Sequence, residues 1–438
     1  MKNDNTLSIP PSDKERVVIV GAGFGGLEIA KRLRKSAYQV VLIDKNNYHQ
    51  FQPLFYQVAM AAIEPSSIIF PLRRVFREKE DVHLRIATVE SLDRTQKVLT
   101  TTLGTLPYDH LVLAMGATSN FFGNKKIEQL GIPMKSVAEA IHMRNTILED
   151  IEHAVAIASY EGRQPLLDVV IVGGGATGVE LAGALAEMKK SVFKKDYPEL
   201  ELSEMDIHLV DGGDRLLSGM SAFSSKHTLK YLEGLGVKVK LNTRVNDFDG
   251  EQALLSDGST LETKKLIWAA GIKGSTFPGI PEESLVRGNR IQVDRHNKVV
   301  GCENLYAIGD LAYMETEHYP KGHPQVAQPA IQQGRHLAKN FIRKAKGKPL
   351  ADFTYFDKGS MATVGRRKAV VELGKIKIKG FIASSMWLVV HLFSLYGLRN
   401  QFVVLMNWLT IFFTYDHYLR LNIRPFLKDR NVEIEQNV

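Results

Sequence analysis

At 438 residues the chain is long enough for two or three domains, and its 44% hydrophobic and 24% charged content is that of a globular protein. The formal net charge of +8 favours an anionic partner; with no zinc-ligand cluster and no arginine-rich arm, nucleic acid is set aside and an anionic membrane surface is the better candidate. Cys302 is the only cysteine, which excludes a disulfide framework and an intrachain redox-active cysteine pair.

Residues 1–13 are polar and lack the apolar core of a secretory signal, so they read as a disordered lead. Val17–Val20 then form a β-branched run, the signature of a buried strand. Gly21, Gly23 and Gly26 follow in G-x-G-x-x-G spacing, and Leu27, Ile29, Ala30 and Leu33 open an amphipathic helix. Strand, glycine turn and helix make a dinucleotide cradle. The glycines permit the turn, the close approach of a pyrophosphate and tight helix–strand packing. The helix start adds free N–H groups and a positive dipole. The next strand, QVVLID, ends at Asp44, eighteen residues beyond Gly26, where a carboxylate can accept from an adenosine ribose.

The stretch after Asp44, rich in aromatics and glutamines, is too irregular for a strand and suits a segment folded against a bound cofactor. Residues 71–82 read as a helix with a solvated basic face. Segments 83–89, 97–103 and 108–115 read as strands, a β-meander insertion. Gly116 and Thr118 mark the exit from this first domain, residues 14–118.

Residues 119–290 repeat the construction. VVIVGGGATG at 169–178 parallels VVIVGAGFGG at 17–26, with Gly173, Gly175 and Gly178 in register. Helices are expected from Val137 to about Tyr160 and over 176–190, with a strand at 168–172. The strand DIHLVD ends at Asp211 as QVVLID ends at Asp44. Asp211 lies 33 residues beyond Gly178 because KKDYPELELSEM intervenes. An Asp here, rather than an Arg, favours NADH over NADPH. LIWAAG closes the unit at Gly271, as LVLAMG closes the first at Gly116. Two cradles imply two dinucleotides.

Residues 291–355 should return to the first domain, through the strand NLYAIGD ending at Gly309-Asp310. In HPQVAQPAIQQG, Pro329 suits the first helical position and Gln328 the one before it. Gln328 and Gln332 share a helix face, and the helix start would stabilise negative charge on a reduced flavin.

From 356 to 438 the character changes. Two apolar runs are split by Gly397-Leu398-Arg399-Asn400, each short of the roughly 20 residues a spanning helix needs. Each carries a polar stripe: Ser384, His391 and Ser394, then Asn400, Asn407, Thr410 and Thr414. Trp387 and Trp408 lie within them. Lys375, Lys377, Lys379, Arg420, Arg424, Lys428 and Arg430 flank them. Amphipathic helices of this kind lie in a bilayer interface, and a buried dimerisation layer is the alternative. No metal-ligand cluster is visible in the sequence.

This set of motifs resembles the type II NADH dehydrogenases, the single-chain NADH:quinone oxidoreductases, over nearly the whole chain. The resemblance is carried by GAGFGG (21–26), NNYHQFQPLFYQVA (46–59), GGGATGVELAG (173–183), WAAGI (268–272), AIGD (307–310), AQPAIQQG (327–334) and the amphipathic C-terminus. It implies an α/β fold of two Rossmann-type domains, disulfide-reductase-like, plus a C-terminal membrane-anchoring region. It implies non-covalent FAD held by Gly21, Gly23, Gly25, Gly26, Asp44, Lys45, Val89, Gly116, Asp310, Ala327 and Gln328. It implies NADH held by Gly173, Gly175, Gly178, Asp211 and Gly271, with Glu180 beside the nicotinamide. Gln328 and Gln332 match the family's quinone-site glutamines. The implied activity is hydride transfer from NADH to flavin, then two electrons to a membrane quinone, without proton pumping. A homodimer on the cytoplasmic face of the inner or plasma membrane is the implied setting. A sulfide:quinone oxidoreductase or a dithiol reductase needs paired cysteines that this chain lacks. A reductase serving a protein electron acceptor, and a non-catalytic NADH sensor, are the competing readings.

Overall fold

A computed structural model describes residues 6–77 and 81–422. Its framework is a pair of five-stranded parallel sheets. The first has the order Leu305–Ala307, His110–Leu113, Arg16–Val20, Gln39–Asp44, Val82–Ile86. The second has the order Ile132–Pro133, Lys265–Trp268, Val169–Val172, Ile207–Val210, Lys238–Lys240. Each central strand is the one that leads into a glycine motif. Its alternate residues enter different cores, which is why the whole strand is apolar. Val17 and Ile19 pack with residues of helices Phe24–Leu33 and Ala327–Ala345, while Val18 and Val20 pack with a three-stranded meander. In the second sheet Val169 and Ile171 face the helical core, while Val170 and Val172 face a second meander.

One edge strand of the first sheet comes from across the chain: Leu305–Ala307 follows the whole second sheet in sequence, whereas Ile132–Pro133 precedes every other strand of the second sheet, to which it belongs. The two segments that cross between sheets, Ala117–Ser119 and Ile272–Gly274, pair antiparallel with each other. Both glycine turns therefore open toward this crossover.

Several elements differ from the sequence reading. The first meander is Val89–Asp93, Val98–Thr101 and Gly104–Pro107, whereas Val82–Ile86 and His110–Leu113 join the parallel sheet. Their apolar residues fill the sheet core, so a meander assignment would have left that sheet short of two strands. A second meander, Val245–Phe248, Gln252–Leu255 and Thr260–Glu262, was not foreseen. The helix expected to reach Tyr160 ends at Val155, and Ser159 caps a separate helix, Tyr160–Leu167, through the Gly162 N–H. The basic helix of 71–82 is short, Leu72–Val75 in the described residues. The lead is held from residue 6 onward. Leu7 is buried and its N–H donates to the Thr105 carbonyl, and the Pro10 carbonyl accepts from Gln39.

The C-terminal region begins with an unforeseen antiparallel sheet, Ser360–Thr363, Ala369–Leu373 and Ile376–Lys379. It packs on the helix Ala176–Met188 that follows the second glycine motif. Gly183 makes this approach possible: a Cβ there would lie 2.7 Å from the Gly365 nitrogen. Two helices follow, Gly380–Ser394 and Leu398–Thr414. Arg424, Lys428 and Arg430 lie outside the described residues.

Candidate functional site

The two glycine turns are built alike, atom for atom. Gly21 and Gly173 have φ of +101° and +116°, which a side chain rarely adopts. The N–H of each donates to the end of the neighbouring strand, to Ile43 and Val210 at 2.8 Å. A Cβ on Gly26 or Gly178 would collide with the carbonyl of Gly21 or Gly173. The two aspartates close the pattern. Asp44 Oδ2 accepts from the Ala22 N–H at 2.6 Å and Oδ1 from the Asn46 N–H at 2.7 Å. Asp211 Oδ2 accepts from the Gly174 N–H at 2.5 Å and Oδ1 from the Gly213 N–H at 2.7 Å. Each carboxylate fastens its glycine turn and keeps lone pairs for further donors. Burial raises the Asp44 carboxyl above its ordinary value, against the two backbone N–H groups and Lys45.

The cradles have room. A Cβ at Gly23, Gly175 or Gly116 would meet no atom within 4 Å. Gly25 is buried instead, with its Cβ direction 3.0 Å from the Ala330 carbonyl of helix Ala327–Ala345. Gly271 lies under the Phe122 ring. Lys45 is exposed, and Val89 is half-buried at the start of the meander. Burial raises the Asp310 carboxyl, with Lys135 and Arg290 pulling it back.

The AIGD turn is tied to the glutamine helix by a residue that sequence reading passed over. Gly309 N–H donates to Gln333 Oε1 at 2.7 Å, and Gln333 is buried. The helix starts at Ala327, so Pro329 sits in its first turn rather than at its first position. Gln328 and Gln332 part company. Gln328 Oε1 is buried with no hydrogen-bond partner. Gln332 both donates to and accepts from the backbone of Phe356, at 2.9 and 3.0 Å. Its amide is spent on the loop entering the C-terminal region.

Glu180 lies one turn into the second cradle's helix and lines a cavity of about 70 Å³ with Gln52, Tyr56, Lys135 and Thr177. Burial pushes its carboxyl up to about 8, against hydrogen bonds from the Thr363 N–H, the Trp387 indole and the Thr363 hydroxyl. The Thr363 N–H reaches Glu180 Oε1 at 3.2 Å. Thus the C-terminal region completes the surroundings of an acid in the second cradle. The glutamine-rich motif pointed toward Tyr56; nothing local in the sequence pointed to Thr363.

The C-terminal helices turn their polar residues inward. Ser384, Trp387 and Asn400 are buried. Asn400 donates to the Ile69 carbonyl at 2.9 Å, Asn407 to Glu64 at 2.5 Å, and the Trp408 indole to Gln57 Oε1 at 2.7 Å. His391 stacks on Trp387 at 3.8 Å, and burial pushes its imidazole down to about 4. Ser394 and Thr414 break from the expected stripe; each is exposed and bonds back to its own helix, to Val390 and Thr410. Phe393 and Phe413 are 74% exposed and Leu398 84%, with Phe381, Ile382 and Phe402 beside them. This apolar face points away from the body. No helix among the described residues is long and apolar enough to cross a membrane.

One acidic cluster is new. Asp168, Asp206 and His208 bring ligand atoms within 4.8 Å of one another. Lys238 pairs with Asp206 at 2.5 Å and Lys189 lies close by, so ammonium groups already answer the charge.

Comparison with known proteins follows the same lines. Residues 15–334 match the family described as pyridine nucleotide-disulphide oxidoreductase, and residues 358–415 match the NDH2 C-terminal domain. The chain is 36% identical over 417 residues to the type II NADH:quinone oxidoreductase Ndh of Mycobacterium tuberculosis, covering 92% of this chain and 89% of that one. It is 33% identical to NdhA of the same organism, covering 90% and 86%. Its fold matches a solved structure of NDH2 from Plasmodium falciparum in complex with NADH, with a TM-score of 0.85, 22% identity, and coverage of 94% and 100%. The sulfide:quinone oxidoreductase of Aquifex aeolicus shares the fold less closely, with a TM-score of 0.69, 17% identity, and coverage of 94% and 96%. Doubled cradles, a buried acid in the second of them and an outward apolar C-terminal face thus coincide with matches along nearly the whole chain, and the chain belongs to the type II NADH:quinone oxidoreductase family.

Proposed function

We infer that the protein is a flavin-dependent, non-proton-pumping NADH:quinone oxidoreductase of a respiratory chain, seated on a membrane surface. The observation that carries this is one chain holding two matched loop–aspartate cradles and a helical pair with its apolar face outward. In this reading residues 14–118 and 291–355 bind FAD, residues 119–290 bind NADH, and residues 356–438 anchor the protein and contribute to a homodimer.

The residues present fit a dinucleotide flavin. The first cradle has open space over Gly23 and Gly116, an acceptor at Asp44, and an orphaned amide oxygen at Gln328. FAD would be held there without a covalent bond by Gly21, Gly23, Gly25, Gly26 and Asp44, with Lys45, Val89, Gly116, Asp310, Ala327 and Gln328 along its length. When bound, the flavin accepts hydride from NADH and delivers two electrons to the quinone.

The chain's own part is to position and to hold charge. Gly173, Gly175, Gly178 and Asp211 would seat NADH, and the start of helix Ala176–Met188 would face its pyrophosphate. Gly271 and Glu180 would lie toward the nicotinamide end. Glu180 holds its proton near neutral pH, so it can donate a hydrogen bond or supply a proton inside the cavity. Gln328 is the glutamine whose amide is not committed to the backbone, and its NH₂ is the group that would donate to a quinone oxygen; Gln332 supports the site by holding Phe356. The exposed Phe381, Phe393, Phe402 and Phe413 would enter the interface of an anionic bilayer, with Lys375, Lys377 and Lys379 at its charged edge. The cytoplasmic face, where NADH is supplied, is the proposed side.

The test is anaerobic stopped-flow on flavin absorbance, with NADH and then a short-chain quinone. Bleaching followed by rapid recovery supports the reading. Bleaching without recovery would point to a protein electron acceptor, and no bleaching to an NADH sensor.

A further inference from the structure

Trp408 sits on helix Leu398–Thr414, whose other face carries Phe402, Leu409 and Phe413 outward. From its indole a continuous set of hydrogen bonds runs to Glu180. Trp408 Nε1–H donates to Gln57 Oε1 at 2.7 Å. Gln57 Nε2 donates to Tyr56 Oη at 2.9 Å. Tyr56 Oη and Thr363 Oγ1 lie 3.0 Å apart, and Thr363 faces the Glu180 carboxyl, its N–H donating to Oε1 at 3.2 Å and its hydroxyl favouring the ionised form. Tyr56, Gln57, Thr363 and Glu180 are all buried.

The indole at one end and, once Glu180 is ionised, the acceptor-only carboxylate at the other set the direction of the links between them. An indole N–H can only donate, so Gln57 must present its oxygen to Trp408 and its NH₂ to Tyr56. With that acceptance filled, the tyrosine hydroxyl proton is free to point at Thr363, whose own proton then points at Glu180. All the links donate toward the carboxyl, and each polarises the next. Remove the indole N–H and the Gln57 amide can turn over. Tyr56 and Thr363 can then reverse, leaving Glu180 facing a hydroxyl oxygen instead of a hydroxyl proton.

We propose that Trp408 is a positioning residue for Glu180, locking the direction of the hydrogen-bond chain through Gln57, Tyr56 and Thr363 and so coupling the seating of the membrane-facing helix to the acid of the NADH cradle. The proposal rests on Glu180 serving the reaction as inferred above. Other groups facing this acid or its chain are Lys135 across the cavity, His391 behind Trp387, and Glu187 toward Tyr56. None of them touches Trp408 Nε1, so they are common to every variant compared.

The experiment is an infrared pH titration of the protonated carboxyl band in the purified holoenzyme, with Glu180→Gln identifying the band. Trp408→Phe and Gln57→Met should each raise the band's midpoint by about one pH unit, through loss of donation to the ionised form. The double variant should shift it no further, because both changes cut one chain. An unmoved midpoint in Trp408→Phe, or additive shifts in the double variant, overturns the proposal. The pH profile of flavin reduction by NADH, recorded on the same samples, separates the two ideas. A band that moves while the profile stays fixed upholds the lock and refutes the role of Glu180 in the reaction.

Discussion

Glu180→Gln is the most informative single change. In the folded protein burial holds this carboxyl near 8 against an ordinary 4.5, so between these values the native state keeps a proton that the unfolded chain releases. The native state then binds more protons, and stability falls as pH rises through the window. The group's contribution is fully present below 4.5 and lost by the time pH passes about 8. At about 1.36 kcal/mol per pKa unit, the wild type loses on the order of 4–5 kcal/mol from this group across the window. A glutamine keeps the shape and the acceptor for Thr363 but does not titrate. Thermal melting of both proteins at pH values spanning the window should therefore show the curves converging or crossing. The variant gains on the wild type as pH rises, by several degrees in Tm. Parallel stability curves would refute the burial argument and, with it, a protonated Glu180 at neutral pH.

Asp211→Arg should raise KM for NADH about tenfold or more and improve use of NADPH, measured by steady-state kinetics with each; unchanged NADH kinetics would count against the ribose assignment. Gln328→Ala should slow quinone reduction more than flavin reduction, resolved by separate half-reaction measurements. Gln332→Ala should act differently, costing about 0.5–1 kcal/mol in denaturant unfolding because two exposed backbone groups of Phe356 exchange their partner for water. Phe393→Glu with Phe413→Glu, both on the exposed face, should weaken co-sedimentation with anionic vesicles while leaving flavin reduction by NADH intact. Retained vesicle binding would argue for a different anchor.

What the sequence determined by itself was whatever short-range geometry governs. The turns at Gly21 and Gly173 follow from sterics within a few residues, and the strand-ending Asp44 and Asp211 lie where any such turn needs an acceptor. Because the motif is local and occurs twice, both cradles could be located without a fold. The helical stripe through Ser384, His391, Asn400 and Asn407 was legible for a similar reason, since helical periodicity alone brings those positions to one face. Ser394 and Thr414 deviated because a hydroxyl can satisfy itself on its own helix, an option periodicity does not register. Tertiary structure alone decided the rest. Tyr56, Glu180, Thr363, Trp387 and Trp408 come from distant parts of the chain, and only packing of the C-terminal sheet against helix Ala176–Met188 joins them. The raised carboxyl of Glu180 is a desolvation effect, which depends on what covers the group and not on its neighbours in sequence. The division between Gln328 and Gln332 has the same origin: two residues on one helix face differ because the loop at Phe356 reaches only one of them.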